Sequence, residues 1–79
     1  MEIKVLGSGC SNCKKMFANV KQAIEELGVE ASVIYVTDYM EIAKTGILRT
    51  PGLIINGKIT SYGRVILVDE LKAMIKKAL

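Results

Sequence analysis

The chain has 79 residues, a net charge of +3 and 51% hydrophobic residues. That is room for one domain, 1–79, with one core, and too much apolar content for a disordered chain. The eleven basic residues are scattered, with three tyrosines and one phenylalanine among them, which lacks the concentrated stripe of a nucleic-acid binder. With no histidine, a His-dependent mechanism or metal site is excluded.

Residues 2–6 alternate charged and apolar side chains (Glu2, Lys4 against Ile3, Val5), the pattern of a strand with one buried face. The apolar run Val5-Leu6 ends at Gly7, so the opening residues do not read as a secretory leader. No stretch approaches the roughly 18 apolar residues of a membrane span. The expected compartment is the cytoplasm, without membrane contact, where structural disulfides are uncommon and a CxxC is more often catalytic or metal-binding.

Gly7-Ser8-Gly9 breaks the strand, and Cys10-Ser11-Asn12-Cys13 follows, with the only two cysteines of the chain. A bridge closing so short a loop removes little unfolded-state entropy, so the pair is poorly placed as a staple and well placed for exchange. From about 12 to 27 the apolar positions Met16, Phe17, Val20, Ile24 and Leu27 recur at helical spacing, with Cys13 on their side. Lys14, Lys15, Asn19, Lys21, Gln22, Glu25 and Glu26 fill the other side, and Gly28 stands where a helix C-terminal glycine belongs.

Thiol exchange needs a thiolate, a second thiol within reach, and access for a partner disulfide. Cys10 falls at the expected helix start, where backbone N–H groups and the positive end of the dipole favour an anion, and Lys14 and Lys15 add positive charge within the first turn. Gly7 and Gly9 are expected to leave the approach open. Cys13 lies one turn in, on the apolar face. This makes Cys10 the expected attacking thiolate and Cys13 the resolving thiol, with Gly9, Ser11 and Asn12 shaping the turn. The same two thiolates suit a copper(I)-type carrier, which needs only two soft ligands, whereas a closed zinc site needs four. The motif by itself leaves electrons and metal both open.

Residues 31–37 are β-branched and aromatic and read as a buried strand. Asp38 with Glu41 three residues later forms a capping-box pattern for a short helix carrying Tyr39, Ile42 and Ala43 on its apolar face and ending at Gly46. Leu53-Ile54-Ile55 and Lys58-Ile59-Thr60 flank Asn56-Gly57, a hairpin signal. A last helix from about 68 places Val68, Leu71, Ile75 and Ala78 inward and Lys72, Lys76 and Lys77 toward water. The expected fold class is α/β, in the order β-α-β-α-β-β-α, with a four-stranded mixed sheet flanked by helices and its first two strands parallel.

Two resemblances follow. Ile3-Lys4-Val5, Gly9-Cys10-Ser11-Asn12-Cys13 and Leu27-Gly28-Val29 look like the opening of a heavy-metal-associated domain. Such domains, however, usually carry methionine where Ser8 stands, and they end on a strand. Over its whole length the chain resembles the small thioredoxin-like redox-active disulfide proteins of archaea and bacteria. Thr50-Pro51-Gly52 is similar to the segment in which a cis-proline opens the thioredoxin hairpin, and Gly63-Arg64-Val65 matches the close of that hairpin.

This resemblance implies a thiol–disulfide oxidoreductase with no bound cofactor, working through a reversible Cys10–Cys13 disulfide. It implies a cis Thr50–Pro51 bond lying against the cysteines, with Thr50 and Pro51 contacting substrate. It also implies a disulfide reductase as electron donor, a disulfide-containing protein as acceptor, and a monomer. Departures are evident. There is no Trp-Cys-Gly-Pro-Cys, and Lys4 stands where thioredoxins bury an aspartate. No Gly-Gly and aspartate follow the hairpin as in glutaredoxins, which puts glutathione binding in doubt. Arg49 and Lys58 read as solvated surface charges, although they are placed to steer an acidic partner.

Overall fold

The computed structural model describes all 79 residues. Its elements run β1 (Glu2–Leu6), α1 (Ser11–Leu27), β2 (Ser32–Val36), α2 (Tyr39–Lys44), β3 (Gly52–Ile55), β4 (Lys58–Tyr62) and α3 (Val68–Ala78), the expected β-α-β-α-β-β-α order. The four strands form one sheet in the order β2-β1-β3-β4. β1 pairs parallel with β2, from Glu2↔Ser32 to Leu6↔Val36, and antiparallel with β3, from Ile3↔Ile55 to Leu6↔Gly52. β3 and β4 form an antiparallel hairpin with a bulge between Leu53 and Ile54. At its tip Asn56 (φ 50°) and Gly57 (φ 80°) both occupy the left-handed region that a two-residue hairpin turn requires.

Alternation along the strands divides the core in two. Ile3, Val5, Leu53 and Ile55 face α1 and α3, against Met16, Val20, Ala23, Ile66, Leu71 and Ile75. Leu6 and Ile54 face the other way, against Ile42 of α2 and Ile47 just beyond it. Each such side chain taken from water contributes about 1.5–3 kcal/mol. No polar or charged side chain is buried. No helix is long and apolar enough to cross a membrane.

The structure departs from these expectations at several positions. The strand expected to be buried, β2, is an edge strand whose Ser32 and Ile34 are exposed. The crossover through α1 lays it outside β1, and no later strand covers it. In α2 the apolar face reduces to Ile42, because Tyr39 and Ala43 are exposed; a six-residue helix reaches the sheet with one side chain. Its cap is Asp38, whose carboxylate accepts from the Met40 N–H at 2.8 Å, while Glu41 turns to Lys44 instead of closing a capping box. In α3, Leu71 and Ile75 are buried but Ala78 is exposed.

Lys72, expected to face water, bridges from α3 to Glu26 of α1 at 3.0 Å. Gln22, first, and then Lys72 hydrogen-bond Glu26 and hold its carboxyl below the ordinary value of 4.5. Arg64 does the same for Glu70 through a two-pronged hydrogen bond at the start of α3. A folded-state value below the unfolded one means that the unfolded chain takes up more protons on acidification. The stabilisation is therefore present at neutral pH and lost as pH falls through the folded-state values. Glu70→Gln is expected to lower Tm at pH 7, with the gap to the parent chain narrowing as pH falls below 4.5, measured by thermal unfolding over a series of pH values.

Candidate active site

The site lies where the C-terminal end of β1 meets the N-terminus of α1. Cys10 is the N-cap of α1, with extended backbone (φ −66°, ψ 164°), and its Sγ accepts the Cys13 N–H at 3.1 Å. A thiolate at this position would receive the same bond with full charge, at the positive end of a 17-residue helix. No acidic residue stands in the first turn to oppose it, and Lys14 and Lys15 are exposed there. Cys10 and Cys13 are joined by a disulfide, with their Cα atoms 5.0 Å apart.

The two sulfur-bearing residues are unequal. Cys10 is exposed, as are Gly9, Ser11 and Asn12, whereas Cys13 is completely buried. Gly9 supplies a positive φ of 92° just before the cap, with nothing within 4 Å of where its Cβ would stand. Gly7 is different. It was expected to keep the approach open, but it is buried under Cys13, whose Cβ lies 2.6 Å from the position a Gly7 Cβ would take. Its N–H donates to the Val36 carbonyl at 2.9 Å, which anchors the end of β1 to β2. Spacing alone shows a Gly-Ser-Gly turn; it cannot show that one glycine faces the helix and the other faces solvent.

The Thr50–Pro51 peptide bond is cis, and Pro51 is buried. The β1–β3 ladder ends at Leu6↔Gly52, so Gly7 and Pro51 each stand one residue beyond its last rung, at the end of the sheet from which the chain leads into α1. Thr50 and Ser8 line the same recess of about 230 Å³, with Tyr39, Ile42, Ala43, Ile47 and Leu48. The Pro51 carbonyl accepts the Gly63 N–H at 2.9 Å, whereas neither the N–H nor the carbonyl of Thr50 bonds to any group of the chain. Arg49 is exposed, with its stem packed over Gly63, and Lys58 is exposed at the far hairpin.

Lys4 is half-buried and pairs with Glu2 at 3.8 Å, and no carboxylate is buried anywhere in the core behind Cys13. Asn19 was expected on the polar face of α1, but it is half-buried and donates from Nδ2 to the Ile66 carbonyl at 2.9 Å. That bond spans 47 positions and leaves no local sequence signal. No group of three or more His, Cys, Asp or Glu side chains is arranged to hold a metal ion.

Residues 1–76 match the family described as thioredoxin domain. A protein of Methanocaldococcus jannaschii named thioredoxin is 39% identical over 77 residues, covering 98% of this chain and 88% of its own. Another, from Methanothermobacter thermautotrophicus and also named thioredoxin, is 32% identical over 75 residues, covering 95% and 97%. These likenesses, and not the geometry of two cysteines, separate electron transfer from metal carriage, and the carrier alternative finds no support in them.

The packing at Gly7 yields a prediction. A methyl group there overlaps Cys13, so Gly7→Ala is expected to destabilise the oxidised protein by about 1–3 kcal/mol, as overpacking of a close-packed contact does. Urea unfolding measures this; an unchanged midpoint would mean that Cys13 yields freely.

Proposed function

Because this chain belongs to the thioredoxin domain family and is a thiol–disulfide oxidoreductase, we propose a division of labour within its site. Cys10 is the attacking thiolate and Cys13 the resolving thiol. The observation that carries this is their unequal exposure: one sulfur-bearing residue open at a helix cap, the other sealed beneath β1.

In the reduced protein the Cys10 thiolate attacks one sulfur of a substrate disulfide. A Cys10–substrate disulfide forms, the substrate bond breaks, and the first substrate sulfur leaves as a thiolate that takes a proton from water. Cys13 then loses its proton and attacks the Cys10 sulfur, closing the Cys10–Cys13 bond and releasing the second substrate thiolate. Two electrons pass from the cysteine pair to the substrate, the second substrate thiolate also takes its proton from water, and the chain is left in the disulfide form seen here. The pair itself carries the electrons, so the cycle calls for no bound cofactor. With no buried carboxylate behind Cys13, water reaching the opened site is the acceptor for its proton.

Thr50 and Pro51 form the substrate contact in this reading. The unengaged N–H and carbonyl of Thr50 support it, since an extended substrate segment beside Cys10 can pair with them as an added strand. The electron donor is a disulfide reductase, which would attack the exposed Cys10 sulfur, and the acceptor is a protein disulfide. A reducing compartment such as the cytoplasm suits this direction of flow.

Cys10→Ser is expected to abolish reduction of a protein disulfide. Cys13→Ser is expected to accumulate a covalent mixed disulfide with the substrate, visible on a non-reducing gel and released by excess thiol. The opposite pattern, with adducts on Cys13 in the Cys10 variant, would sink the assignment.

A further inference from the structure

We propose that Met16 and Asn19 are positioning residues, which clamp the segment after β4 to the cysteine helix and through it hold Pro51 in place. Ile66 lies between β4 and α3, fully buried, outside any helix or strand. A buried peptide unit must find partners for its N–H and its carbonyl. Both partners of Ile66 are side chains of α1, one turn apart: its N–H donates to Met16 Sδ at 3.4 Å, and its carbonyl accepts from Asn19 Nδ2 at 2.9 Å.

The same segment reaches the proline. Gly63 donates its N–H to the Pro51 carbonyl, and the Arg49 stem lies over Gly63, 3.3 Å from where its Cβ would stand. Pro51 and Thr50 lie beyond the last rung of the β1–β3 ladder, so Pro51 is held from the β4 side alone, through Gly63. Met16 stands one turn after Cys13 and Asn19 one turn after Met16. One helix face thus carries the buried cysteine at one end and, through Ile66 and Gly63, the hold on Pro51. The inference rests on Thr50 and Pro51 being the substrate contact. It adds that the cysteines and the proline keep their register through two α1 side chains that touch no substrate.

Asn19→Leu and Asn19→Asp remove the donor, Met16→Leu removes the acceptor at nearly equal volume, and Asn19→Gln keeps a donor. Loss of either bond frees a buried backbone group, so Gly63 amide exchange by NMR is expected to quicken about tenfold and KM for a protein disulfide to rise by a similar factor. The redox equilibrium constant in a thiol buffer, kcat, and the rate with a small aromatic disulfide, which offers no peptide segment to pair with Thr50, are expected to stay within about twofold, with Asn19→Gln close to the parent chain. Unchanged Gly63 exchange overturns the clamp whatever the substrate contact is. Faster exchange with unchanged KM, or equal losses on protein and small substrates, overturns its role in positioning. An error in the Cys10 and Cys13 assignment shows separately, in which cysteine variant traps the substrate.

Discussion

The packing of Cys13 on the backbone of Gly7 is the constraint around which this small molecule is arranged. Nothing with a Cβ fits between the end of β1 and the first turn of α1. The strand end is held by the Val36 carbonyl on one side and the Gly52 pairing on the other. Helix and sheet can then close with the second cysteine sealed inside. Cys10, three residues earlier at the cap, is left in the open as a direct consequence.

That closure makes two chemically identical residues different. A sulfur at a helix N-cap already holds an N–H bond and sees the positive end of the dipole. Cys13, in the same turn, is sealed among apolar groups. The proposed order of events in exchange rests on this inequality of exposure, and the two lysines of the first turn add positive charge beside the open end. The core contributes no charge of its own, since it buries no polar side chain.

The second half of the chain supplies the surroundings rather than the reacting atoms. β3 lies at the centre of the sheet with all four residues buried, and so it fixes where the proline loop emerges. The loop itself runs past the ladder and depends on Gly63 and, through Ile66, on α1. The edges are looser. β2 and β4 each pair on one side only, and α2 covers the far face with Ile42 alone, helped by Ile47.

Much of this was legible in the residues. Local periodicity sets the element order, because the apolar spacing of 12–27 and the Asn56-Gly57 turn each encode their geometry within a few positions. The special role of the cysteine pair follows from its short spacing, and the placement of Cys13 on the apolar stripe already marks it as the inner of the two. What the sequence could not decide depends on contacts between distant segments. That β2 is an edge strand is set by strand order, not by its own composition. That Gly7 packs under Cys13 while Gly9 faces solvent depends on how a strand end meets a helix. That Asn19 turns half-buried toward α3, and does not stand with the polar face, depends on a carbonyl 47 positions away. Periodicity is written residue by residue, but a close approach or a buried hydrogen bond exists only once the sheet has brought both partners together.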